Sequence, residues 1–166
     1  MDIERFTLNH QLFYLINHRR HPLLDVFYAY FHLLGKGSFG LFVGFILLFT
    51  GDKGFFKYAV AVTLQALVVK LLKYTIRAKR PSTVLEEVYL LEKLRLKSFP
   101  SGDTAMSTVI ALCLFEGAPV WLKPALVVYP ILIGYGRVYM GVHFPLDVVA
   151  GWTIGVVCYL GVSHFF

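Results

Sequence analysis

Five apolar runs, at residues 38–50, 55–77, 102–118, 121–140 and 145–166, are set apart by short breaks holding much of the glycine and charge. A helix of roughly 20 apolar residues crosses a bilayer, and inside hydrocarbon only helices or closed barrels satisfy their backbone groups. The composition agrees. The chain is 57% hydrophobic and 16% charged, where a soluble domain carries about a quarter charged residues. These runs predict an all-α, polytopic membrane helical bundle with about five transmembrane helices, built as one domain over residues 1–166.

The segments before the first run are shorter and more polar. Residues 6–18 place Leu8, Leu12, Leu15 and Ile16 at helical spacing among polar residues, a pattern too polar to span. Residues 22–34 open with Pro22, suited to a first helical turn, and are too short to cross alone. Residues 1–36 are therefore read as interfacial helices before a core at 38–166. The one long polar connection, 82–98, sets Val84, Leu85, Val88, Leu91 and Leu94 opposite Glu86, Glu87, Lys93 and Arg95. It predicts an amphipathic helix lying on the membrane. No cleaved signal peptide, internal repeat or low-complexity linker is expected. Cys113 and Cys158 lie in apolar stretches and read as buried thiols. The net charge of +6 favours anionic partners, a phospholipid bilayer or a phosphorylated substrate, and no nucleic acid.

Three polar clusters interrupt the hydrocarbon: Lys73 to Arg80-Pro81, Pro100-Ser101-Gly102-Asp103, and Gly136-Arg137 followed by His143 and Asp147. Ionisable groups beside membrane segments are costly and read as functional. Following helix direction from run to run brings all three clusters to one membrane face. Lys70, Lys73, Arg77 and Arg80 form one basic stripe if the helix persists. The plainer alternative is snorkelling at a helix end. Ser101-Gly102 at a helix start offers a hydroxyl and backbone N–H groups to an anion, or simply a turn and cap. His143 and Asp147 share one helix face, where the carboxylate can fix the imidazole tautomer or the histidine can simply cap the helix. No histidine and carboxylate cluster has metal-ligand spacing, so neither metal nor cofactor is expected.

Lys73-x6-Arg80-Pro81, Pro100-Ser101-Gly102 and Arg137-x5-His143-x3-Asp147 together resemble the three-part signature of the type 2 phosphatidic acid phosphatases. That superfamily comprises membrane lipid phosphatases and the vanadium haloperoxidases, and its bacterial lipid A 1-phosphatases are one branch. The resemblance spans residues 73–147 and implies roles. His143 would attack phosphorus and carry a phosphohistidine, with Asp147 orienting it. Lys73, Arg80, Arg137, Ser101 and the Gly102 N–H would hold the phosphoryl oxygens. It further implies a multi-pass protein of the bacterial inner membrane with its site on the periplasmic face. The charge bias of the loops, read by the positive-inside rule, points to the opposite face.

Two positions depart from the family pattern. Gly136 stands where serine usually precedes the arginine, and Asp103 where the second motif usually ends in histidine, the general acid. An aspartate at a helix N-terminus beside cations is favoured in its charged form, which makes it a poor proton donor. Three roles stay open for Asp103: helix cap, general base for the attacking water, or a weak acid sufficient for a good leaving group. The last two favour lipid A 1-phosphate, with undecaprenyl diphosphate and phosphatidylglycerophosphate as alternatives. Two further readings are a lipid phosphotransferase using the same intermediate, and a non-catalytic phospholipid binder. The sequence leaves the oligomeric state open.

Overall fold

A computed structural model describes residues 7–92 and 97–166. Its regular elements are all helical: α1 (Thr7–Asn17), α2 (Pro22–Phe31), a 3-10 turn (His32–Gly35), α3 (Gly37–Phe49), α4 (Phe55–Ile76), α5 (Pro81–Val84), α6 (Gly102–Gly117), α7 (Lys123–Tyr139) and α8 (Pro145–Ser163). This is the expected all-α membrane bundle.

Two helical segments, Phe55–Val84 and Pro145–Ser163, are each long and apolar enough to cross a membrane. Pro22–Gly35 and Gly37–Phe49 meet that test only as a pair, bent by 54°. The segment at 22–34 is thus continuous with the first apolar run, and the bend falls at Lys36. α6 and α7, of 16 and 17 residues, are about 24 to 26 Å long at 1.5 Å per residue. They are shorter than the hydrocarbon core, although both belong to the expected set of five.

The closest packing joins α6 to α8. Gly151 and Gly155 form a small-residue stripe on α8. A Cβ at Gly151 would lie 2.6 Å from the Ser101 carbonyl, and one at Gly155 would lie 2.5 Å from the Thr108 Cβ. In lipid no hydrophobic force draws helices together, so such close backbone approach is what makes van der Waals attraction large. The same contact sets the two helix starts side by side, with the Ser101 N–H donating to the Asp147 carbonyl at 2.9 Å. The two helices run parallel, and the second and third motifs are neighbours because of it.

α1 covers this end of the bundle. Its buried residues, Asn9, Phe13 and Asn17, recur every four residues. Phe13 packs with Val138, Phe144 and Val148. The Asn17 amide donates to the carbonyls of Tyr89 and Tyr139, each at 2.9 Å, and its oxygen accepts from the Tyr89 N–H at 3.0 Å. Leu8, Leu12 and Leu15 point outward, as an interfacial helix facing lipid requires.

Two local expectations fail. The 82–98 connection is not one amphipathic helix. Only Pro81–Val84 is helical, 85–92 is irregular, and 93–96 lie outside the described residues. Tertiary hydrogen bonds take the place of helical ones there. Leu91 donates to the Met140 carbonyl, Tyr14 donates to the Glu86 carbonyl, and Tyr89 is clamped by Asn17. Gly141, at φ +76°, permits this docking, since a Cβ there would lie 2.4 Å from the Tyr89 carbonyl. The basic stripe on α4 also ends early. Arg77 adopts the left-handed conformation, φ 55°, and closes the helix at Ile76. Arg77 turns back onto the Tyr74 carbonyl, while Arg80 begins the next helix beside Pro81.

Candidate active site

Each helix start or end at this face contributes one part of a cluster. Pro145 opens α8, placing Asp147 in its first turn. There the Asp147 Oδ2 accepts from the Phe144 N–H at 2.9 Å and from the Ser98 hydroxyl at 2.5 Å, and lies 3.3 Å from the His143 Nδ1. The imidazole is thereby held from its Nδ1 side. The Nε2 faces the Arg80 guanidinium at 3.5 Å. His143 is buried, and burial lowers its pKa well below 6.5, assisted by Arg80, Arg137, Lys73 and Lys36. The ring is accordingly neutral at neutral pH, with a lone pair available on Nε2.

The cations are fixed by the loops around them. Arg80 donates to the Val142 carbonyl at 2.5 Å and to the Lys97 carbonyl at 3.3 Å. The Lys73 ammonium donates to the carbonyls of Lys97 and Ser98 at 2.8 and 3.1 Å. Arg137, at the last turn of α7, is fully buried, and its three guanidinium nitrogens make no well-aligned hydrogen bond among the described residues. Its charge is matched by ion pairs, to Glu92 at 2.9 Å and Asp103 at 3.2 Å. A planar guanidinium with five N–H groups can bind an anion in place of such carboxylates.

Ser101 is less available than its motif implied. Its N–H serves the Asp147 carbonyl, and its hydroxyl pairs with Thr104 at 2.8 Å. Gly102 is the first residue of α6, where helical geometry leaves N–H groups without intrahelical partners. A Cβ at Gly102 would make ordinary contact with Val69, at 3.4 Å. The protein's own packing therefore does not demand glycine there. Asp103 lies in the first turn, its Oδ2 between Arg137 and Lys36 at 3.2 and 3.4 Å.

The structure thus gathers Lys73, Arg80, Ser101, Gly102, Asp103, Arg137, His143 and Asp147 at one end of the bundle. It adds three residues that sequence reasoning passed over. Lys36, at the bend before α3, pairs with Glu92 at 2.6 Å. A lysine between two glycines in an apolar stretch was the available signal. Glu92, on the irregular connection, bridges Lys36 and Arg137 and lies 3.8 Å from His32. Burial opposes its charge, but Arg137 and Lys36 overcome that and hold its pKa below 4.5. Ser98 steadies Asp147, and nothing in its local sequence marked it.

Gly136 also has a steric cause. A Cβ at this position would lie 2.5 Å from the Tyr28 ring, which packs there against Tyr139. The aromatic ring of α2 occupies the space that a serine hydroxyl would need.

No ≥3-residue group of His, Cys, Asp or Glu suited to a metal ion occurs among the described residues. The chain matches the family model described as the PAP2 superfamily over residues 54–166. It is 31% identical over 158 residues to an undecaprenyl-diphosphatase of Sulfolobus acidocaldarius, covering 92% of this chain and 75% of that one. The crystal structure of Aquifex aeolicus LpxE superimposes with a TM-score of 0.93 at 43% identity, covering 99% of both chains. A Bacillus subtilis PAP2-type phosphatidylglycerolphosphate phosphatase follows with a TM-score of 0.81 at 25% identity, covering 96% and 84%. With a buried histidine, a carboxylate behind it and basic side chains around it, these likenesses lead to one conclusion: the chain belongs to the PAP2 superfamily and is a membrane lipid phosphatase.

Proposed function

We propose that this protein removes the phosphate of lipid A 1-phosphate through a phosphohistidine intermediate, without a metal ion, on the periplasmic face of a bacterial inner membrane. The observation that carries the mechanism is the arrangement of His143, with Asp147 on Nδ1 and a neutral Nε2 directed towards Arg80. In the first step the Nε2 lone pair forms the N–P bond as the bond from phosphorus to the leaving oxygen breaks. The Nδ1 proton stays directed at Asp147, which stabilises the cationic ring. In the second step water attacks phosphorus, the N–P bond breaks, and phosphate departs. Arg80, Arg137, Lys73 and the Gly102 N–H bear the charge on the phosphoryl oxygens, which is the main task in phosphoryl transfer.

Asp103 acts as general base for the water in this scheme. Its carboxylate lies between the Lys36 and Arg137 cations, and the scheme assigns no proton donor to the leaving group. The leaving group must then depart with little protonation. An anomeric oxygen, as in lipid A 1-phosphate, satisfies this better than a glycerol alkoxide. The overall likeness to LpxE supports that choice. Undecaprenyl diphosphate, whose leaving group is itself a phosphate, is the second reading, supported by the Sulfolobus relative. Phosphate release by the purified protein from lipid A, undecaprenyl diphosphate, phosphatidylglycerophosphate and phosphatidic acid separates these. Fastest release from lipid A agrees with the proposal, and fastest release from phosphatidic acid contradicts it. Transfer of phosphate to a lipid acceptor without free phosphate would make the protein a transferase.

A further inference from the structure

A cavity of about 390 Å³ adjoins the basic cluster, between α3, α4 and α6. Lys73 and Asp103 stand at one end of it, Val69 and Met106 line its wall, and Gln65 borders it deeper in the bundle. Gln65 precedes Lys73 on α4 by about two helical turns, roughly 12 Å of axial rise. It is 2% exposed, and its Oε1 is buried without a hydrogen-bond partner among the described residues. Among the buried positions of α4, Tyr58, Ala61 and Val69 are its companions, none of which engages the amide.

An unmatched amide oxygen in an apolar interior is unfavourable. A leucine or methionine would pack as well at lower cost, so this glutamine calls for an explanation other than folding. The cavity supplies one, because the phosphate clamp at its mouth fixes which part of a ligand lies inside. With phosphorus held at Lys73 and His143, the portion of the lipid next to the phosphate extends along Val69 towards Gln65.

We propose that this cavity receives the lipid portion adjoining the scissile phosphate, and that Gln65 accepts a hydrogen bond from an amide N–H or hydroxyl of that lipid. The inference rests on the phosphatase reading above and narrows its substrate class. Lipids whose acyl chains are attached through amides, or bear hydroxyls near the headgroup, satisfy Gln65. Polyprenyl chains offer no donor and leave the amide unmatched. Discrimination of this kind arises because a site built for a polar group is left unpaired by the analogue that lacks it.

The test uses two synthetic glycosyl 1-phosphate lipids that differ only in attaching the neighbouring acyl chain through an amide or an ester. Their equilibrium binding is measured on the full-length His143→Ala protein in nanodiscs, with and without Gln65→Met. The amide lipid is expected to bind about tenfold tighter, in the range of one membrane-buried hydrogen bond, and Gln65→Met is expected to bring the ratio close to one. Gln65→Leu, a second apolar replacement, should do the same, and thermal unfolding of each variant checks that the fold survives. An amide-to-ester ratio near one in the Gln65 protein, or a ratio that survives both replacements, overturns the inference. Phosphate release by the wild-type protein is followed separately on the same pair. Release without a binding preference defeats the Gln65 inference alone, whereas a binding preference without release defeats the phosphatase reading alone.

Discussion

The two ends of the helical bundle each hold buried or half-buried charges, and they use them differently. At the end away from the site, the Lys57 ammonium pairs with Glu116 at 2.7 Å and lies over the Tyr159 ring at 4.9 Å, while the Tyr159 hydroxyl donates to the same carboxylate. Every partner there is supplied by the protein, and the carboxylate is largely exposed. At the active end Arg137 is fully buried and paired with Glu92 and Asp103, with no well-aligned hydrogen bond to its guanidinium among the described residues. The first cluster ties α4, α6 and α8 together. The second is a buried charge held by acidic side chains from two separate elements, the arrangement that the proposed function uses to receive a phosphate.

The sharpest way to break this contrast is to remove the proposed nucleophile. His143→Ala is expected to lower kcat for lipid phosphate hydrolysis by roughly 10⁴-fold or more, as for other essential nucleophile or base residues, with little change in thermal unfolding. Next, Arg137→Ala should cost about 10² to 10³ in kcat. Arg137→Lys should recover only part of it, because an ammonium cannot reproduce the planar fork. Steady-state kinetics on one lipid substrate checks both.

Glu92 sharpens the comparison from the other side. Its carboxylate lies on the same Arg137 and Lys36 groups that a phosphate would approach, so Glu92→Gln should tighten inhibition by inorganic phosphate by roughly tenfold, the size of one hydrogen bond to a charged group. Because its pKa is held below 4.5, this difference should persist at neutral pH and fade only as the pH falls below that value. The native pairing of Glu92 stabilises the fold above the ordinary glutamate range and is lost as it protonates. Weaker phosphate inhibition in Glu92→Gln would instead make Glu92 a support for Arg137.

The pH profile gives a smaller effect. Since burial depresses the His143 pKa, the acid limb of kcat/KM belonging to this group should lie below pH 6.5. For the same reason the folded state resists protonating His143, so its contribution to stability is present above pH 6.5 and declines as the pH falls towards the depressed value. The smallest effect belongs to the far end. Glu116→Gln should change stability by less than about 1 kcal/mol, the usual range for exposed pairs, and leave kcat/KM unaltered.

Much of this arrangement was legible in the chain itself. Apolar run lengths gave the helices, and their alternating direction predicted that Lys73–Arg80, Ser101–Asp103 and Arg137–Asp147 share one face. Most of what it hid depends on partners distant in sequence. Val84, Leu85, Val88 and Leu91 carry a helical period, but Asn17 and Met140 hydrogen-bond that stretch into an irregular path. The Lys70–Arg80 stripe needed a straight helix, and the left-handed turn at Arg77 redirects it. The reason for glycine at 136 was not legible either, since the Tyr28 ring that fills the space of a side chain there lies far upstream. Lys36 and Glu92 were likewise invisible as a pair, since only the bend before α3 and the docked connection bring them together.

On the proposed route His143 carries the phosphoryl group between two in-line displacements. The stereochemical course at phosphorus, followed with a phosphorothioate analogue of the lipid made chiral with two oxygen isotopes and hydrolysed in water of the third, tests it most directly. Two successive inversions predict net retention of configuration in the released thiophosphate. Net inversion would mean that water attacks the lipid phosphate in a single step, and would contradict the account.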